Sequence, residues 1–256
     1  MAKAVMQTAD FAVIILAGGQ SRRMGQDKAL LRLTPGGPTL IERVIAAARP
    51  LGPILLVTNT PDRYAWLGLP MVPDPQPGQG PLGGLAGGLA AAPAPYNLVL
   101  ACDLPDLQPA VLAVLAAVPR TYDVLVPRWT AADGTRQIEP LHAVYSRACL
   151  PAIQAALAAG HRAVHSFYPA VRVQYLADSA LRQVDPHCRS FRNLNTPADL
   201  LPPADELIRE GPRRTAKNDD DGLIREGPRR HAKNDGDGLI REGPRRHAKN
   251  DEEDGI

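Results

Sequence analysis

Cysteine is scarce in this 256-residue chain, and the three present, Cys102, Cys149 and Cys188, form no Cys-x-x-Cys pair. A disulfide framework or structural zinc site is therefore not expected, and a reducing, cytoplasmic setting is. Aromatic residues make up only 4% of the chain, so a core must be built mainly from Ala, Leu and Val. An excess of either charge is missing too: 29 Lys and Arg against 27 Asp and Glu leave +2. That balance argues against nucleic acid as a partner. No apolar run approaches the roughly 20 residues of a membrane helix. The longest runs from Phe11 to about Gly19. It is a poor secretory signal, because Asp10 abuts it and Gln20-Ser21-Arg22-Arg23 follows where small residues should mark cleavage. In a twin-arginine signal the arginines precede the apolar stretch, whereas Arg22 and Arg23 come after it. No membrane association is expected.

What the chain does contain divides in two near Asp205. From Leu207 a 16-residue unit recurs: LIREGPRRTAKNDDDG, then LIREGPRRHAKNDGDG from Leu223, then a third copy from Leu239. Residues 207–256 carry 12 basic and 12 acidic residues and only seven Leu or Ile. So few apolar residues cannot form a core, and each Gly-Pro interrupts a helix, so the repeat tail is read as disordered. Its Asp-Gly ends do not make a calcium loop. With Gly238 at the sixth position, Lys233 and Pro244 fall at the first and twelfth. Arg213, Arg214 and Lys217 are offset by Asp219, Asp220 and Asp221.

Residues 1–206 alternate strand-like and helix-like stretches. Strands are expected at Ala12–Leu16, Ile54–Thr58, Asn97–Ala101, Val124–Pro127, Leu141–Val144 and Val171–Leu176, and helices at Leu40–Ala48, Leu82–Ala92, Pro109–Val118 and Leu150–Ala159. Several strands are continuously apolar, as when both sheet faces are covered. This alternation predicts a three-layer α/β sandwich with a parallel-rich sheet, whose ligand site lies at the carboxyl ends of the strands.

The first such end reads Leu16-Ala17-Gly18-Gly19-Gln20-Ser21-Arg22-Arg23-Met24-Gly25-Gln26-Asp27-Lys28. Adjacent glycines let backbone amides approach an anion, and Arg22, Arg23 and Lys28 add positive charge. Together they describe a polyphosphate cradle. It is not a Walker loop, because Gly25 is followed by Gln26-Asp27-Lys28. The pattern G-x-G-x-x-G occurs instead at Gly78, Gly80 and Gly83, crowded by Pro73, Pro75, Pro77 and Pro81 with no strand leading directly into it, and is read as a false match for NAD binding.

The loop resembles the signature of the molybdenum cofactor guanylyltransferases, a family within the nucleotidyltransferase superfamily, and the resemblance runs from Val13 to about Leu200. It implies a Rossmann-like fold with a mostly parallel mixed sheet, GTP and molybdopterin as substrates, and Mg²⁺ as cofactor. It also implies molybdoenzymes or other cofactor-biosynthesis proteins as partners. By the same resemblance, Leu16, Ala17, Gly18, Gly19, Lys28, Asn59, Asp74 and Asp103 contact GTP, and Lys28, Arg23 and Asp103 are catalytic.

The residues bear their own readings. Asn59 follows Leu56-Val57-Thr58 and can offer a base edge both donor and acceptor, or simply form a turn. Asp74 can accept from a guanine's N1–H and amino group together. The glycines after it can equally serve close packing of the next helix. Asp103 closes the run Leu98–Cys102 before Leu104-Pro105, where a carboxylate is placed for magnesium. Cys102 reads as a buried small residue rather than a nucleophile. Arg192-Asn193-Leu194-Asn195-Thr196-Pro197 resembles the family's closing motif and offers Asn193 and Asn195 as supporting residues, while Thr196-Pro197 also reads as a helix start. Glu139–Tyr145 resembles a mid-domain stretch of the family, and by that resemblance it borders the acceptor pocket, with Arg162 towards the acceptor's phosphate. His161 and His165 lack the Glu of H-E-x-x-H and are not read as metal ligands. CMP transfer to molybdopterin, another nucleotidyl transfer and a non-catalytic GTP-binding adaptor are the alternatives. By the resemblance, Ala17-Gly18-Gly19 favours GTP over CTP, because the similar CMP-transferring enzymes tend to carry Ala-Ala-Gly there.

Overall fold

The computed structural model describes residues 10–18, 27–78, 80–131, 133–192 and 194. The repeat tail lies outside these, as do Gly19, Arg23, Asn193 and Asn195.

In strand β1 (Phe11–Leu16), Val13 and Ile15 point to one side of the sheet and Ile14 and Leu16 to the other, and all four are buried. A strand buried on both faces reads as one apolar run, which explains why hydrophobic alternation is absent here. The strands β2 (Ile54–Val57) and β4 (Tyr96–Ala101) flank β1 in parallel, and β3 (Met71–Val72) extends the sheet beyond β2. On the other side β7 (His142–Ser146) pairs antiparallel with β4 and with β5 (Val124–Thr130). β5 also carries β6 (Arg136–Ile138) antiparallel and β8 (Val173–Leu176) in parallel. The result is one eight-stranded mixed sheet with the path β3-β2-β1-β4-β7-β5-β6.

Helices cover both faces. The core that includes Val13, Ile15 and Leu98 is closed by Ile41, Val44 and Ile45 of α1 (Leu40–Ala48), Val111, Leu112 and Leu115 of α4 (Pro109–Ala117), and Leu181 of α6 (Asp178–Val184). Tyr64, the last residue of the short α2 (Pro61–Tyr64), joins it. The opposite core sets Ile14, Leu16 and Val99 against Leu82, Leu85 and Leu89 of α3 (Pro81–Ala91) and Ile153 and Leu157 of α5 (Leu150–Ala158). Each such side chain contributes about 1.5–3 kcal/mol on burial. The three-layer architecture is the one expected from the sequence.

Local chemistry sets several boundaries. Thr39 caps α1 in a capping box: its hydroxyl accepts from the Glu42 amide while the Glu42 carboxylate accepts from the Thr39 amide at 2.7 Å. α3 begins with Pro81 and is buried continuously from Leu82 to Leu89, as fits a helix that is apolar all round. No helix among the described residues is long and apolar enough to cross a membrane.

Candidate active site

Register brings four strand ends to one edge. Leu16 is level with both Val57 and Ala101, and Val57 is level with Val72. Gly18, Asn59, Asp74 and Asp103 each follow at the same short distance beyond β1, β2, β3 and β4. The Ala17 amide donates to the Val57 carbonyl at 2.9 Å, continuing the ladder one step, and the chain leaves the sheet at the exposed Gly18. The Leu16 side chain is buried in the core on the α3 side.

Lys28 and Asp103, far apart in sequence, meet here. The Lys28 ammonium Nζ lies 3.4 Å from Asp103 Oδ2, and the side chains are 17% and 22% exposed. The pair is thus partly shielded from water yet open to a ligand, where charge interactions exceed those on a free surface. The 3-10 turn Lys28–Leu30 directs the lysine, and Asp27 caps that turn by accepting from the Ala29 amide at 3.1 Å. Asp27 Oδ2 also accepts from the Tyr64 hydroxyl at 2.6 Å and the Arg63 guanidinium at 3.1 Å.

Asn59 and Asp74 form a second unit. Asn59 Oδ1 accepts the Asp74 amide at 2.9 Å, and Asp74 Oδ1 accepts the Gln76 amide at 2.8 Å. The carboxylate rests on the first turn of α3, where a Cβ on Gly83 would come within 2.8 Å of Asp74 Oδ1. Of the three glycines of the G-x-G-x-x-G match, Gly83 is thus explained by close packing, whereas Gly78 and Gly80 adopt left-handed backbone with φ of 89° and 67°. Farther along α3, a Cβ on Gly87 would meet Pro75 Cδ at 2.6 Å and one on Gly88 would meet Ile14 Cγ2 at 2.7 Å.

The Asp103 segment is secured from several sides. Its carbonyl accepts from the Leu194 amide at 3.4 Å, Arg192 Nε donates to Asp106 Oδ2 at 2.6 Å, and the Gln108 amide donates to Ser190 Oγ at 3.0 Å. Arg43 of α1 donates to the Pro105 carbonyl at 3.2 Å. The described part of the Arg192–Asn195 motif is thus tied to the Asp103 loop. Burial, reinforced by Asp103 and Asp27, pushes the Cys102 thiol well above its usual range, which keeps it un-ionised.

His142 begins β7 opposite Leu100 and is fully buried. Neither ring nitrogen has a well-formed hydrogen bond among the described residues, and the ring lies 5.0 Å from that of Phe191. Burial holds it neutral, with its pKa lowered to about 3 against the weaker pull of the Ser190 backbone and Asp185. Glu139 turns back on its own loop, accepting from the Leu141 amide at 3.0 Å. Arg162 packs its backbone against Gly80 at the start of α3, where an added Cβ would lie 3.3 Å from the Arg162 carbonyl oxygen. His161 lies in a loop and His165 in the 3-10 segment Val164–Ala170, so they share no α-helical face.

Among the described residues no group of three or more His, Cys, Asp or Glu gathers to hold a metal. Mg²⁺ usually takes only one or two carboxylates and completes its shell with phosphate and water. Asp103, at the strand edge, is a carboxylate whose chemistry fits such a shell. Sequence reasoning missed Tyr64, Arg63 and Arg43, because their partners are fixed only by how α1 and α2 pack.

A lysine and a carboxylate facing each other at the carboxyl edge of an α/β sheet have the charge and position suited to a phosphate-bearing ligand. Comparison with known proteins agrees. Residues 13–173 match the family described as MobA-like NTP transferase domain. A Chloroflexus aggregans protein named "probable molybdenum cofactor guanylyltransferase" is 43% identical over 73% of this chain and 90% of its own length. One of the same name from Pelotomaculum thermopropionicum is 39% identical over 73% of this chain and 89% of its own. The solved structure of molybdopterin-guanine dinucleotide biosynthesis protein A from Archaeoglobus fulgidus superposes with a TM-score of 0.63 at 28% identity, covering 74% of this chain and 94% of that one. The chain belongs to the MobA-like NTP transferase family and is a nucleotidyltransferase.

Proposed function

We propose that the protein transfers GMP from GTP to the phosphate of molybdopterin and releases pyrophosphate. The observation that carries this reading is the Lys28–Asp103 pair at the carboxyl edge of the sheet, in a chain 43% identical to a protein bearing the guanylyltransferase name. An acceptor phosphate oxygen attacks the α-phosphorus. A new P–O bond forms, the α–β bridging bond breaks, and its electron pair leaves with pyrophosphate. The nucleophile is already anionic, so no general base or covalent enzyme intermediate is needed.

The difficulty is charge. Two like unit charges 4 Å apart repel by about 4 kcal/mol at an effective dielectric near 20. Lys28 offsets that repulsion at the phosphates, with Arg23 and the Gly18 and Gly19 amides added from the first loop. Asp103 would hold Mg²⁺, which when bound supplies polarisation of phosphate oxygens and neutralisation of developing charge. Asn59 and Asp74, joined as one unit, are assigned to the nucleotide base and Arg162 to the acceptor. Asn193 and Asn195 are assigned as support for the Asp103 loop. The product passes to molybdoenzymes or other cofactor-biosynthesis proteins in the cytoplasm.

Calorimetric titration with GTP, CTP and ATP, each with and without Mg²⁺, tests the nucleotide. Tighter, magnesium-dependent binding of GTP is expected, and a preference for CTP would replace the donor. In a transfer assay, Asp103→Asn is expected to fold but to lose at least about a hundredfold in kcat. Full activity in that variant removes Asp103 from the mechanism.

A further inference from the structure

We infer that Tyr64 is a positioning residue for Lys28, acting through Asp27; this rests on the nucleotidyl-transfer reading above. Asp27 directly precedes Lys28, and three donors converge on its carboxylate. Oδ1 takes the Ala29 amide at 3.1 Å, and Oδ2 takes the Tyr64 hydroxyl at 2.6 Å and Arg63 at 3.1 Å. A carboxylate offers about four lone-pair sites, so Asp27 is nearly saturated.

This saturation matters for Lys28. Its stem is flexible, and a carboxylate one residue away is a rival for its ammonium. With Asp27 held by other donors, Lys28 stays directed at Asp103 Oδ2, 3.4 Å away. Of the two side chains on Oδ2, Tyr64 is the firmer anchor. It is 2% exposed and locked in the core, whereas the Arg63 side chain is 52% exposed and its ion pair is weakened by water. Burial and the neighbouring Asp27 also keep the phenol protonated, so it remains a donor. The hydroxyl thus couples the end of α2, beyond the second strand, to the lysine of the first loop.

The test uses Tyr64→Phe in the full-length chain, which removes the hydroxyl and keeps the ring. Steady-state transfer is measured in this variant, in Lys28→Ala and in the double variant, alongside thermal midpoints. Tyr64→Phe is expected to lower kcat about tenfold, with KM for GTP within about twofold. In the Lys28→Ala background it should change the residual rate by less than about twofold. An equal loss in both backgrounds, or unchanged kcat, overturns the inference, because a merely structural role does not depend on Lys28.

A second readout is independent of transfer. Lys28 is the only lysine between residues 10 and 194. Its isotopically labelled dimethylamine signal, identified by its loss in Lys28→Ala, should shift in Tyr64→Phe. An unmoved signal overturns the inference. If the wild-type chain transfers no GMP, the proposed function fails and this signal alone decides the positioning role. If Tyr64→Phe does not fold, Asp27→Asn takes its place with the same expected results.

Discussion

At the residue scale, the buried His142 shows how one position can be unremarkable in sequence and consequential in structure. It stands beneath the edge where Asp103 emerges, with its pKa lowered from 6.5 to about 3 chiefly by burial. Above pH 6.5 the ring is neutral in both folded and unfolded chains, and its contribution to stability is complete. As pH falls below that value, the unfolded chain takes up a proton that the folded chain refuses until about pH 3. The folded state therefore loses roughly 1.4 kcal/mol per pH unit within that window. In urea unfolding, His142→Leu is expected to lose less stability than wild type between pH 6.5 and about 4. Identical slopes would exclude His142 as the source. Asn59 makes a related point. Its sequence setting permits a base contact or a turn, and the structure gives its carbonyl oxygen to the Asp74 backbone.

At the element scale, α3 is the informative case. Four glycines lie in its helical span, an unfavourable composition for a helix, since each costs about 1 kcal/mol relative to Ala. Three of them stand where a Cβ would meet the Asp74 carboxylate, Pro75 or Ile14 at less than 3.0 Å, whereas at Gly84 the nearest atom, Leu16 Cδ2, is 3.7 Å away. Gly84→Ala is accordingly expected to stabilise the protein by up to about 1 kcal/mol through helix propensity alone. Gly87→Ala and Gly88→Ala are expected to destabilise it by about 1–2 kcal/mol, because a rigid proline and a packed sheet side chain must yield. Chemical denaturation of the three variants decides this, and a stabilised Gly87→Ala would contradict the packing argument. Other elements were less legible. β3 is two residues long, β6 reads Arg-Gln-Ile with little apolar signal, and α2 is a single turn. All are held by pairing and packing with distant segments, which local pattern does not carry.

At the scale of the whole molecule, the buried members of both core clusters among the described residues fall between Val13 and Phe191. The repeat tail, with seven Leu or Ile among its 50 residues, is too poor in apolar side chains to build a core of its own. A chain ending at Glu206 is therefore expected to keep the thermal midpoint and the GTP-transfer rate of the full-length protein. A lost midpoint or rate would show that residues 207–256 take part in folding or catalysis. The sheet also explains why a short signature far from the rest of the site can carry a functional reading. Parallel register sets the ends of β1 to β4 level, so residues from four separate segments converge without any long excursion of the chain.

The sequence by itself determined the class of fold, because continuous apolar runs alternating with Ala- and Leu-rich helices have few ways to bury both sheet faces. It also supplied the residue types of the first loop and of Asp103, which are written in contiguous motifs. Only the tertiary structure decided that Lys28 faces Asp103, that Asp27 is held by Tyr64, and that three of the four α3 glycines serve packing. Those pairings join segments tens of residues apart, and their geometry follows from strand register and helix docking rather than from any local pattern.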